Sequence, residues 1–183
     1  MGTDIHCYIE KKREDNSGWD QLGLWIKDPE TGSFKEADFY DGRNYLLFGM
    51  LAGVRSCTEP IAALRGIPED MSDELVLEYG KGEWFHDATW YDYYELADYL
   101  KGRNDTMFLV DELEKSLKTK VRDAEDDYEG EAEDHFLLRG VEEEREEIEA
   151  LKGFIAAIDD VLWKYSIYYP KFGQIRITMW FDS

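Results

Sequence analysis

Four side chains able to do chemistry recur at every second position near the start of the chain: Asp4, His6, Tyr8 and Glu10. Side chains alternate faces along an extended strand, so these four share one face, while Ile5, Cys7 and Ile9 share the other. A carboxylate and an imidazole two residues apart can act as general acid and base. They can also ligate a divalent metal if a third donor joins them. His86 is that donor candidate, which makes Asp4, His6 and His86 the candidate metal set. The final run, Gln174 to Asp182, alternates as well. Ile175, Ile177, Met179 and Phe181 face one way; Arg176, Thr178, Trp180 and Asp182 face the other. If the first and last strands pair, Arg176 and Asp182 extend the polar face. Arg43 and Arg55 flank an apolar segment and offer bidentate donors to a phosphate or carboxylate. Trp90 lies in a run rich in aromatic residues, Trp84 to Tyr94, and is a candidate wall for a pocket in which a base or nucleotide stacks. The same strand face serves equally as a hydrogen-bonded polar layer beneath a helix. No HExxH, CxxC pair, GxxxxGK[ST] or GxSxG occurs, so no catalytic residue and no cofactor is assigned.

The elements that position these residues read as follows. Thr3 to Lys12 is a strand, a turn follows at Glu14 to Gly18, and Trp19 to Lys27 is a second strand. A turn at residues 28–32 leads to a weaker strand at residues 33–39. Tyr45, Phe48, Leu51 and Ala52 recur at helical spacing, which predicts a mostly buried helix. Asp73 to Tyr79 is a short helix capped by Asp70 or Ser72. His86 falls in a loop, and a helix from about Trp90 to Lys101 stops at Gly102. Met107 to Tyr128 and Glu131 to Tyr165 are expected to form an antiparallel helical hairpin, with Leu109, Leu113 and Leu117 on its seam. The pattern predicts one α+β domain over residues 1–183. It consists of a small antiparallel sheet with adjacent N- and C-terminal strands, helices packed on it, and a protruding acidic hairpin at 105–168.

Composition limits the partners. The chain of 183 residues is long enough for a substantial core, and 15% of its residues are aromatic. Its net charge of −21 disfavours direct binding of nucleic acid or of an anionic membrane surface. No apolar run is long enough to span a bilayer, and the start of the chain shows no signal-peptide pattern. Cys7 and Cys57 fit a reducing compartment, which predicts a cytoplasmic protein without a functional disulfide. Between Asp123 and Glu149 fourteen acids face two basic residues, Arg139 and Arg145. Such a block is a solvated helix face, a docking arm for a basic protein, or a mimic of nucleic acid.

As a set, several pieces resemble a group of uncharacterised bacteriophage and prophage proteins. These are the opening MGTDIHCYIE, RNYLLFGMLAGVR at 43–55, RGIPEDMS at 65–72, HDATW at 86–90 and the ending IRITMWFDS. The resemblance covers most of the chain outside the acidic hairpin. It implies a phage or prophage origin and supplies no catalytic residue; the chain is expected to be a phage-type accessory protein in the host cytoplasm. The expected function is binding of a host protein or a small nucleotide-like ligand, for example to blunt a host defence. One alternative is a small hydrolase or transferase using Asp4, His6 and His86, with or without a metal. The other is an acidic mimic of nucleic acid.

Overall fold

The structure, a computed structural model, describes residues 2–27, 34–37, 39–40, 42–55, 59–123 and 128–182. The 28–32 turn, Cys57 and positions 124–127 at the hairpin tip lie outside them. Strand β1 (Asp4–Lys12) is central in a four-stranded antiparallel sheet. It pairs with β2 (Trp19–Leu22) on one side and β6 (Ile175–Asp182) on the other, and β5 (His86–Asp92) completes the order β2-β1-β6-β5. The terminal strands are therefore neighbours. Their register sets Asp4 opposite Asp182, His6 opposite Trp180, Tyr8 opposite Thr178 and Glu10 opposite Arg176. The long second strand expected from sequence is broken at Gly23, and β3 (Leu24–Lys27) pairs with β4 (Phe34–Ala37) in a separate two-stranded sheet.

One sheet face carries the main core. Ile5, Cys7, Ile9, Ile177, Met179 and Phe181 pack there against helices α1 (Tyr45–Ala52) and α4 (Tyr128–Lys164). Helix α1 starts where Asn44 Oδ1 accepts the Leu47 N–H at 3.1 Å. It ends at Gly53, whose φ of 69° favours glycine and whose N–H donates to the Gly49 carbonyl at 2.7 Å.

The opposite face is also covered along half its length. Helix α2 (Asp73–Tyr79) lies over it, and Met71, Leu75, Tyr79 and Phe85 pack around the fully buried Trp180. This roof explains why β6 is buried on both faces up to Phe181.

Helix α3 (Tyr93–Asp123) begins directly after β5. Asp92 Oδ1 accepts the Tyr94 N–H at 2.9 Å, while Glu95 Oε2 reaches back to the Asp92 N–H at 2.9 Å. This reciprocal arrangement is a capping box. The helix runs through Gly102, where a stop was expected. A mid-helix glycine costs about 1 kcal/mol, and pairing with α4 offsets it. Arg103 reaches Glu144 at 2.7 Å and Glu147 at 2.9 Å, and Arg145 holds Asp111 at 2.7 Å across the same seam. The two helices thus run antiparallel. Of the expected seam leucines only Leu117 is buried; Leu109 and Leu113 are exposed because ion pairs close part of this interface. Among the described residues no helix is long and apolar enough to cross a membrane.

Candidate functional site

The polar face of the sheet has two ends, the second of which opens on a cavity. At the first, Arg43 clamps the Asp4 carboxylate with Nε and Nη2, and both side chains are about half exposed. His6 Nε2 lies 3.3 Å from Asp182 Oδ2, and its ring is 5.0 Å from that of Phe85. Tyr8 stacks on Trp180 at 4.7 Å. Arg55 donates through Nε to Thr3 Oγ1 at 2.8 Å. Arg43 and Arg55 are thus engaged with the first strand and its lead-in.

His86 belongs to neither end. It lies in β5 and not in a loop, and a bulge between His86 and Thr89 sets it opposite Phe181. Its ring stacks on Phe181, a residue of the core face, and its Nδ1 lies 2.7 Å from Asp87. His6 sits on the Trp180 side, so the sheet separates the two imidazoles. The candidate metal set of Asp4, His6 and His86 does not assemble, and no group of three His, Cys, Asp or Glu side chains among the described residues could hold a metal ion.

The open end is built on the row Glu10, Arg176, Asp92, which runs across β1, β6 and β5. Glu10 is fully buried. Its Oε2 accepts from Arg176 Nε and Thr178 Oγ1, both at 2.9 Å, and its Oε1 accepts the Ser72 N–H at 2.8 Å. A buried carboxylate needs such partners, because an unpaired charge in the interior is strongly unfavourable. Glu10 is therefore a structural anchor and not a ligand contact. Arg176 continues outward, donating from Nη1 to Asp70 Oδ1 at 2.6 Å. Trp19 Nε1 donates to the other Asp70 oxygen at 2.8 Å.

Above this row lies a cavity of about 710 Å³. Trp19, Trp90 and Phe172 supply its aromatic walls, with Arg176, Arg65 and Asp92 among the polar groups. The Arg176 guanidinium is 4.1 Å from the Trp19 ring centroid and 5.9 Å from that of Trp90. Arg65 lies 4.7 Å from the Trp90 centroid and grips Glu95 with two hydrogen bonds of 2.7 and 2.8 Å. Arg65 also lies 5.4 Å from the Tyr91 centroid, so each guanidinium borders two aromatic rings.

Charge in the cavity is tuned by its surroundings. Burial pushes the Asp92 carboxyl up, against the lowering effect of the N–H groups of Tyr94 and Gly173. Hydrogen bonds from Arg65 hold Glu95 below its ordinary value, against partial burial. Burial opposes ionisation of Asp70, but hydrogen bonds from Arg176 and Trp19 outweigh it and hold its carboxyl below the usual range.

Of the ten residues singled out from sequence, only Trp90 and Arg176 line this cavity. Asp4, His6, Arg43 and Asp182 group at the far end, and Tyr8 and Glu10 are packed between. Trp19, Arg65, Asp92 and Phe172 were not anticipated. The Asp92-x-x-Glu95 spacing was the one available signal, since a capping box there places β5 and its Trp90 before the helix. Compared with family models, with curated proteins and with solved structures, the chain matches none.

Proposed function

We propose that this chain is a binding protein that takes a small planar ligand, of nucleotide kind, in the cavity above Arg176. In this reading it acts as a phage-type accessory protein in the cytoplasm of the host cell. The observation that carries the reading is the cavity itself, walled by Trp19, Trp90 and Phe172 and large enough for a drug-sized molecule. The polar groups around it favour binding over chemistry. Asp70 and Glu95 are held by arginines, and Asp92 Oδ1 and Oδ2 accept backbone N–H groups. Such carboxylates are fixed in place and orient a ligand.

Stacking of one base on an aromatic side chain contributes about 1–3 kcal/mol. Trp90 is only partly buried, so its removal leaves the core intact. Trp90→Ala is expected to weaken binding of adenosine at least about fivefold, since 1.4 kcal/mol is a factor of ten. Trp90→Phe should retain most of the affinity. Fluorescence titration of the full chain with the four ribonucleosides checks this. Failure of all four to bind the unmodified protein, or equal binding to Trp90→Ala, would remove the reading.

A further inference from the structure

A second hollow, of about 780 Å³, adjoins the first and shares Lys12, Phe172 and Gly173 with it. Its character is opposite. The ring cavity is lined by three cations, Lys12, Arg65 and Arg176, against four acids, Glu69, Asp70, Asp92 and Glu95. The second hollow has Lys11, Lys12, Arg13 and Lys171 against Glu14 alone. Arg13 is paired with Asp20 at 2.7 Å. Among the described residues, no carboxylate lies within ion-pair distance of the ammonium groups of Lys11, Lys12 or Lys171. Lys12 follows Lys11 on β1 and turns to the other face, its Nζ 5.6 Å from the Trp19 ring centroid. Among the described residues, Lys11 and Lys171 are thus the unpaired cations of the second hollow, a local positive site in a chain of net charge −21. Salt screens the distant acids, since the Debye length is about 8 Å at physiological ionic strength.

The loop that forms the hollow is held in place. The Lys12 N–H donates to the Gln174 carbonyl at 2.8 Å, and the Lys171 N–H to Gln174 Oε1 at 2.8 Å. Tyr94 Oη donates to the Pro170 carbonyl at 2.7 Å. Asp92 Oδ2, from the ring cavity, accepts the Gly173 N–H at 2.7 Å. The loop carrying Lys171 and Phe172 is thus fixed to the strand end and to the ring cavity, which lowers the cost of ordering it around a ligand.

We propose that the basic hollow is the phosphate end of the same site, so that the ligand is a nucleotide lying across Phe172. Its ring sits against Trp19 and Trp90, its phosphates meet Lys11 and Lys171, and Lys12, over the Trp19 ring, lies on the ring side of the site. This rests on the ring-cavity reading above and adds an orientation to it. The acid-rich cavity cannot take the phosphates, and the lysine hollow can.

The test is calorimetric titration of the full chain with ATP, adenosine and tripolyphosphate, using the unmodified protein and Lys11→Ala/Lys171→Ala. ATP is expected to bind at least tenfold tighter than adenosine, with the difference shrinking as salt rises. In the double variant ATP should fall to within about threefold of adenosine, while adenosine itself binds unchanged, which also shows that the variant is folded. If ATP and adenosine bind the unmodified protein alike, the phosphate assignment is wrong and the ring cavity stands. A tenfold gap that survives in the double variant places the phosphates elsewhere and likewise overturns it. Binding of tripolyphosphate and ATP with no binding of adenosine or the other ribonucleosides removes the ring reading and with it the bridged site. No binding of any of these probes ends both.

Discussion

Arg176→Met is expected to destabilise the protein by about 3–5 kcal/mol, because it leaves the fully buried Glu10 carboxylate without its cation. The Ser72 N–H and Thr178 hydroxyl would remain as its partners, and two neutral donors do not replace a guanidinium. A loss of that size is a large part of the 5–15 kcal/mol that holds a typical domain together. The companion change Glu10→Gln removes the stranded charge, so the double variant should recover much of the loss. Urea unfolding followed by far-UV circular dichroism measures all three proteins. A single Arg176→Met variant within about 1 kcal/mol of the unmodified protein would show that Glu10 is not anchored as described.

The second large effect concerns the roof over the polar face. Trp180 is fully buried, with ring centroids of Tyr8 at 4.7 Å, Tyr79 at 5.1 Å and Phe85 at 5.7 Å. Trp180→Ala removes the ring on which α2 and the Phe85 segment pack, and the expected cost is about 3–5 kcal/mol. Trp180→Phe should behave very differently. The indole N–H has no hydrogen-bond partner among the described residues, and a buried unmade hydrogen bond costs about 1–3 kcal/mol. Phenylalanine keeps most of the ring and deletes that donor, so its net cost should stay within about 1.5 kcal/mol. Thermal unfolding separates the two; equal losses would mean that the cluster tolerates no smaller ring.

The pairing of the terminal strands was legible because both alternate without a break, and a period of two fixes which residues share a face. Helix α1 was legible from its apolar spacing, and α2 from the boundary at Ser72, although Ser72 makes no side-chain cap bond and the Asp70 carboxylate is taken by Arg176 and Trp19. The break at Gly23 was not, because a glycine within an alternating run leaves the pattern continuous. His86 was misplaced because a bulge at Asp87, with φ of 49°, shifts β5 against β6, and a local backbone kink leaves no periodic trace. The polar face of β1 was read correctly as one face, but its use depended on what covers it. Helix α2 is 60 residues away in sequence and roofs Tyr8 while leaving the Arg176 end open. The cavity joins Trp19 from β2, Arg65 from a loop, Asp92 from β5 and Phe172 from the loop before β6. Four separate segments converge there through the sheet order alone, and no spacing in the sequence records that convergence. In the hairpin, among the described residues, Glu144 and Glu147 pair with Arg103, Glu143 with Arg139 and Glu149 with Lys152. Much of that charge is engaged within the hairpin itself.

The central claim, that a planar ligand sits against Trp19 and Trp90, is tested most directly by the indole N–H resonances of the six tryptophans. Trp19 and Trp90 line the cavity, whereas Trp84 and Trp163 are exposed elsewhere and Trp180 is sealed under α2. Titration of isotope-labelled protein with adenosine and then ATP should move the Trp19 and Trp90 signals in a saturable way and leave those of Trp84, Trp163 and Trp180 in place. Stationary Trp19 and Trp90 signals at saturating ligand, or shifts confined to Trp84 and Trp163, would contradict the account.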